Sequence, residues 1–446
     1  MRQLVVRNCS VLVVPQVGEC RVDEAQDIHI QDGAIIRIAE TEPAYTEVEV
    51  LDATGLLAVP GLTNSHTHSP MVMMRGAAED VSIDDWFNRK IWPMEVNLTP
   101  ERVKVGARLA CAEMLLGGVT TFVDHYFHAD QIAAAALESG IRADLAPTFF
   151  SSTGTEGREA AFEAAREIRA LGQSSGRITA SLGPHAPYTV SDEDLRRTAE
   201  VARTEGFRVH LHAAETDDQT HSSIDQHGVT PIEVLARTGV LEAGALIAHG
   251  CGIRDADLAL LQPYRDRTAI ACCPKVYLKL AMGSTTPIKA LQENGIPIGI
   301  GTDGAAVHNT LDVWESLRLV ALTQKQREQN AEWMTISDTL RLATRGGATA
   351  AGLANLTGAL EPGRRADIAL VDLKAPHHQP VHDPRANLVY STRASDVVHV
   401  LVDGEVVVRD RTLTKVDLTG IIEDARSLAH TLVDLSANAT IQTYAP

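Results

Sequence analysis

Eight short apolar segments recur through the middle of this chain, and amphipathic segments separate them. They are LLAVPGL (56–62), TTFVD (120–124), RADLAPT (142–148), ITASLGP (178–184), RVHLH (208–212), ALIAHG (245–250), TAIACC (268–273) and IPIGIGTD (296–303). Runs that are apolar on both faces suit parallel strands covered by helices. The intervening segments have helical spacing, as in ERVKVGARLACAEMLLGG (101–118) and SDEDLRRTAEVARTEG (191–206). The second carries its own punctuation, with Ser191 as N-cap and Gly206 at the close. Eight such units over about 300 residues predict a (β/α)8 TIM-type barrel, α/β in class, rather than an open doubly wound sheet.

The two ends read differently. LVVRNCSVLVV, DIHIQDGAIIRIA and EVEVLDATGLLAVP are β-like and divided by the turn signals QDG and ATG. The pattern returns in RRADIALVDL and VVHVLVDGEVVVRD, where Asp403-Gly404 is a hairpin signal. We therefore expect a small composite β-sandwich, its first part from residues 1–59 and its second, with a C-terminal tail, from 358–446, around a metal-dependent barrel of 60–357.

Composition excludes several classes. The 446 residues carry a formal net charge of −18, leaving no cationic excess to neutralise phosphates, so DNA, RNA and acidic membrane surfaces are poor partners. No apolar run approaches the roughly 18 residues of a membrane span. The start, MRQLVVRNCSVLVVPQ, alternates like a strand and is not expected to be a secretory signal. Cys9, Cys20, Cys111, Cys251, Cys272 and Cys273 lack framework spacing and read as free thiols of a reducing cytoplasm.

Barrel chemistry sits at the C-terminal ends of the strands. There the sequence reads NSHTHSP, HLHAAE, AHG and GTDG, giving His66 and His68, then His212 with Glu215, His249, and Asp303. Alternate residues of an extended segment face one side, so His66 and His68 converge. Three neutral imidazoles and a carboxylate form a borderline-soft donor set. The set suits one divalent metal per chain, Zn2+ first and Fe2+ or Mn2+ as alternatives. GIGTDG (299–304) fits the dinucleotide fingerprint literally, but Asp303 would repel a pyrophosphate. HExxH and PCxxC motifs are absent, and no nucleophile elbow is expected. His221, His227, His377, His378, His382 and His399 read as surface or structural residues.

The ordered set HTH, HAAE, AHG and GTDG resembles the amidohydrolase superfamily over nearly the whole chain. Within it the chain is similar to adenosine-type deaminases acting on S-adenosylhomocysteine and 5′-methylthioadenosine. That resemblance rests on PMVMMRG (70–76), DWFNRKIWPMEVNLTPE (85–101), GGVTTFVDHYF (117–127), GPHAPYTVSDE (183–193), CPKVYLKLAMG (273–283) and GTDGAAVHNTLDVWE (301–315). It implies a cytoplasmic homo-oligomer whose His66, His68, His212 and Asp303 hold the metal, which lowers the pKa of water. In the mechanism that follows, Asp303 doubles as base, His249 orients the nucleophile and Glu215 protonates the ring nitrogen beside the attacked carbon. The resemblance further implies that Glu95 binds the ribose hydroxyls, His185 the purine, and Arg142 the nucleoside or a neighbouring subunit.

The chain departs from the family pattern at the barrel mouth, where CPxSN becomes CPKVY and GAASNN becomes GAAVHN. The substrate-reading roles of Lys275, Val276, Tyr277, Val307 and His308 are therefore open. The stretch after the third strand, TFFSSTGTEG (148–157), contains no cation for an amino-acid carboxylate. Phe149 and Phe150 are expected to face an apolar 5′ group instead, with Lys275 as the one alternative source of charge. Two readings compete: a hydrolase of another heterocycle such as guanine, 8-oxopurine, a pterin or an s-triazine, and a silent amidohydrolase-like scaffold.

Overall fold

A computed structural model describes residues 3–42, 45 and 48–445. The N-terminal strands are β1 (Gln3–Val13), β2 (Arg21–Gln31), β3 (Ala34–Glu40), β4 (Glu49–Asp52) and β5 (Leu56–Pro60). The central ones are β6 (Leu62–Thr67), β7 (Val119–Tyr126), β8 (Arg142–Phe149), β9 (Ile178–Ala180), β10 (Gly183–Pro184), β11 (Val209–Ala213), β12 (Ala245–His249), β13 (Ala269–Cys272) and β14 (Ile298–Ile300). The last four are β15 (Ile368–Asp372), β16 (Val397–Val402), β17 (Glu405–Arg409) and β18 (Thr412–Leu413).

The central strands pair in parallel in two arcs, β6-β7-β8-β10 with β9 also on β8, and β11-β12-β13-β14. A parallel bridge between Leu182 and Val209 joins the arcs on one side. On the other, Thr302 N and Asp303 N donate to His66 O at 3.2 and 2.9 Å. The result is a closed ring of eight strand positions, one of them interrupted as β9 and β10. β6, β7, β11 and β12 are buried along their full length, because helices cover the outside and side chains fill the inside. The expected helices form: Ser191 Oγ accepts from Asp194 N ahead of Asp192–Glu205, the expected cap, and Thr99 Oγ1 accepts from Arg102 N ahead of Pro100–Leu116.

One expectation needs correction. The segment 56–62 is not the first barrel strand: Leu56–Pro60 pairs with β1 and β15 in the terminal sheet, and the barrel begins only at Leu62. An apolar run reads alike in either sheet, so pattern alone could not divide it. The terminal strands from both ends of the chain come together in one composite sheet, β18-β17-β16-β15-β5-β1-β2-β3, with β4 on β1. It folds back on itself where Ala34 bridges Arg365 and Ile35 N donates to Arg364 O. Leu4, Val6, Ile28, Ile30, Ile368, Leu370 and Leu401 fill its own core. Asp403 and Gly404 both take positive φ, 51° and 68°, as a two-residue hairpin turn requires. Beyond this sheet, the helix Leu418–Leu432 packs on the barrel helix Pro100–Leu116. Among the described residues no helix is long and apolar enough to cross a membrane, and all six cysteines are buried and free.

A candidate metal centre at the barrel mouth

Four strand ends deliver the expected donors to one point. His68 Nε2 lies 3.2 Å from Asp303 Oδ1 and 3.3 Å from His212 Nε2, and His66 Nε2 lies 3.8 Å from Asp303 Oδ1. His249 Nε2 stands just beyond, 3.9 Å from Asp303 Oδ2 and 3.8 Å from Glu215 Oε1. The rear nitrogens are engaged. His68 Nδ1 donates to His125 O at 2.6 Å and His212 Nδ1 to His185 O at 2.9 Å, which leaves each Nε2 lone pair facing the centre. His66 Nδ1 meets His210 Nε2 at 2.9 Å. His66 Nε2 is buried and has no hydrogen-bond partner among the described residues.

Burial keeps these imidazoles neutral. It lowers the pKa of His68 to about 4, against a small opposing effect of its bond to His125 O. Burial and then the neighbouring His68 lower that of His212 to about 3. Burial pushes the Asp303 carboxyl up to about 7, opposed by the Gly304 N–H. A carboxylate that burial disfavours, beside unprotonated imidazoles with converging lone pairs, fits a divalent cation and little else. Backbone strain marks the same place. His249 and Asp303 hold φ of 75° and 61°, a left-handed conformation costing non-glycine residues about 1–3 kcal/mol, and functional sites collect it.

The glycines of GIGTDG serve packing. A Cβ on Gly301 would come within 2.9 Å of Cys273 Sγ and of His66 O.

The chamber above the centre is walled by Trp86, Phe87, Trp92, Phe150 and Tyr188, with Glu95, His185 and Glu215 among its polar groups. Burial, then the like charge of Asp303, raises the Glu215 pKa to about 7, while Gln219 opposes the rise. Burial raises that of Glu95 to about 8, although Tyr126 OH donates to Glu95 Oε1 at 2.6 Å. His185 lines the chamber with Nδ1 2.8 Å from Thr189 Oγ1. Val276 and Val307 line it too. Tyr277 turns away, its hydroxyl accepting from Cys273 N at 2.7 Å, and His308 turns to Ser316. Lys275 is bound to Glu315 at 2.8 Å.

Two expectations fail geometrically. Arg142 opens β8, at the end of the strand opposite the metal centre, and is 3% exposed. Its guanidinium reaches Asp367 at 3.2 Å and Asp403 at 2.7 Å, tying the barrel floor to the terminal sheet, so the structure does not bring it to the pocket. Phe149 packs on Phe162 in the core and only Phe150 faces the chamber, since neighbouring strand residues point opposite ways. His377 and His378 both bond to Asp396, at 2.8 and 3.0 Å, and His378 is buried, so of the two roles open to this pair it takes the structural one.

Two residues were missed. His210 shares a face with His212 by the same alternation that pairs His66 with His68, so HLH carried the signal. His125 lines the chamber because β7 runs two residues past its expected end. Its Nδ1 is 2.9 Å from Thr148 Oγ1, and its Nε2 has no partner among the described residues.

Comparison with known proteins bears on this geometry. Residues 57–407 match the amidohydrolase family. The chain is 40% identical, over 97% of its length and 100% of the relative's, to a 5-methylthioadenosine/S-adenosylhomocysteine deaminase of Pelotomaculum thermopropionicum. It is 35% identical, over 97% and 99%, to a 5′-deoxyadenosine deaminase of Methanosarcina mazei. A crystal structure of an adenosine deaminase from Xanthomonas campestris with bound zinc superposes with a TM-score of 0.91 at 30% identity, covering 97% of this chain and 98% of that one.

Proposed function

The chain belongs to the amidohydrolase family, and we propose that it is a metal-dependent deaminase releasing ammonia from the 6-amino group of an adenine nucleoside with a small, uncharged 5′ group. The observation that carries this reading is the position of the Glu215 carboxyl. It stands 3.8 Å from His249, within an aromatic-walled chamber whose other buried carboxyls are Asp303 and Glu95.

A divalent metal held by His66, His68, His212 and Asp303 would supply a water of lowered pKa. Asp303 takes a proton from the water, and the imidazole of His249 orients the oxygen toward C6. Glu215, whose raised pKa keeps its proton available near neutrality, gives it to N1 of the purine and makes C6 electrophilic. A C–O bond forms at C6, the proton on Asp303 passes to the amino nitrogen, the C–N bond breaks to release ammonia, and the remaining hydroxyl proton returns to Glu215 as the C6 carbonyl forms. Glu95 accepts from the vicinal ribose hydroxyls, His185 contacts the purine, and Phe150 lies beside the 5′ substituent.

The test is ammonia release from a panel of adenosine, 5′-deoxyadenosine, 5′-methylthioadenosine, S-adenosylhomocysteine, free adenine, guanine, a pterin and an s-triazine, with metal content measured in parallel. Adenine nucleosides should far outrun the rest. Faster turnover of guanine, the pterin or the triazine overturns the assignment, and equal rates on adenine and adenosine remove the role given to Glu95.

A further inference from the structure

The last described residues run along 83–98, a pocket cover that gives Trp86, Phe87, Ile91, Trp92 and Glu95 to the chamber wall. Asn97 Nδ2 donates to the carbonyls of Leu432 and Asp434 at 3.0 and 2.6 Å, and Ile441 N reaches Trp92 O at 3.4 Å. Asn88 then grips the backbone of Tyr444 at both of its groups. Its Nδ2 donates to Tyr444 O at 3.1 Å, and its Oδ1 accepts from Tyr444 N at 2.7 Å. The Tyr444 ring stacks on Phe87, with centroids 4.6 Å apart and planes within 14°, and meets Tyr188 edge-on at 5.5 Å. Phe87, Trp92 and Tyr188 are themselves walls of the chamber.

The hydroxyl of Tyr444 ends the connection at Glu215. Gln219 Oε1 accepts from Glu215 N at 3.1 Å. Gln219 Nε2 donates one hydrogen to Glu215 Oε2 at 3.0 Å and the other to Tyr444 OH at 3.1 Å. Every donor of this amide is thereby used, and Gln219 and Tyr444 are only 4% and 5% exposed. Rotating the amide by half a turn would set oxygen against the Glu215 carboxyl and NH2 against the Glu215 N–H. One orientation alone satisfies the three partners. It holds Oε2 of Glu215 and leaves Oε1 toward His249.

We infer that Tyr444, carried by the C-terminal tail, is a positioning residue: it locks Gln219 and so aims the Glu215 carboxyl into the chamber, while its ring holds the pocket cover closed. The inference rests on the reading of Glu215 as proton donor. Tyr444→Phe keeps the stack and removes the hydroxyl. It should lower kcat about tenfold, the size of one net buried hydrogen bond, with KM within about threefold and metal content unchanged. Gln219→Leu should lower kcat further, and adding Tyr444→Phe to it should change kcat by less than twofold, because the hydroxyl acts only through the amide. Wild-type kcat in Tyr444→Phe, or additive losses in the double variant, overturns the inference. A chain ending at Thr440 should exchange amide hydrogens faster than wild type over both 83–98 and 215–228. Unchanged exchange over 215–228 also overturns the inference, and this result is read whether or not any nucleoside is turned over. Absence of deamination with wild-type protein would count against the proposed function instead.

Discussion

Exchanging the methylthio group of 5′-methylthioadenosine for the homocysteine arm of S-adenosylhomocysteine brings a carboxylate and an ammonium to the 5′ end of the substrate. Among the described residues lining the chamber there is no Lys or Arg, while Glu95, Glu215 and Asp303 are all acidic. Lys275 and Lys279, next in sequence to the lining residues Val276 and Leu280, are committed to Glu315 at 2.8 Å and Glu79 at 2.5 Å, and Arg158 to Asp194 at 2.5 Å. A carboxylate partly stripped of water without a partner costs roughly 3–4 kcal/mol. At about 1.4 kcal/mol per decade, kcat/KM for S-adenosylhomocysteine should fall on the order of 10²–10³ below that for 5′-methylthioadenosine. Initial rates of ammonia release over a concentration series give the ratio. Val276→Lys, which adds a cation to the wall, should narrow the gap about tenfold, and Lys275→Met should leave it unchanged. A preference for S-adenosylhomocysteine that Lys275→Met abolishes would refute the reasoning. It would show that Lys275 leaves Glu315 to take the carboxylate.

Other substitutions separate roles. Glu215→Gln keeps the bond to Gln219 but has no proton to give, so metal content should persist while kcat falls by on the order of 10³; near-normal turnover would sink the mechanism. His68→Ala should lose metal and activity together in elemental analysis and rate assays. Glu95 has a folded pKa of about 8 against an ordinary 4.5, so the unfolded chain ionises first as pH rises. Stability is therefore lost progressively between those values and levels off above about 8. Glu95→Gln should then raise Tm at pH 8, by the equivalent of a few kcal/mol, and leave it unchanged near pH 4.5; an equal shift at both pH values would contradict the buried acid. Arg142→Met should cost about 3–5 kcal/mol in denaturant unfolding, by leaving the buried Asp367 without a cation while Asp403 keeps Arg177 and Arg365, without altering KM. A raised KM with unchanged stability would return Arg142 to the substrate.

Much of the site was legible because barrel strands present their ends to one face. A donor at the end of each of several strands, as with His66, His68, His212, His249 and Asp303, needs no distance information to be grouped. The helix between two strands could be read from its apolar spacing and its cap, as at Ser191 and Gly206. Errors arose where one local pattern fits two environments. Leu56–Pro60 is apolar whether it lies in barrel or sheet, and its place was decided by pairing with β1 and β15. Arg142 occurs in a string resembling a family of nucleoside enzymes, yet its position at the start of its strand points it at the barrel floor.

The sequence by itself determined the alternation of strand and helix, the β-rich ends and the grouping of imidazole and carboxyl side chains at the barrel mouth, because each follows from the period of the chain and from residue chemistry at strand ends. Only the tertiary structure decided what lies far apart in sequence and close in space. His66 rests on His210, Glu95 on Tyr126, and Arg142 on Asp403. Above all, Tyr444 comes to Gln219, 225 positions away, to hold the carboxyl of Glu215. No local periodicity encodes such a contact, since it exists only once the closed barrel offers the tail an aromatic surface and a buried amide with one hydrogen left to donate.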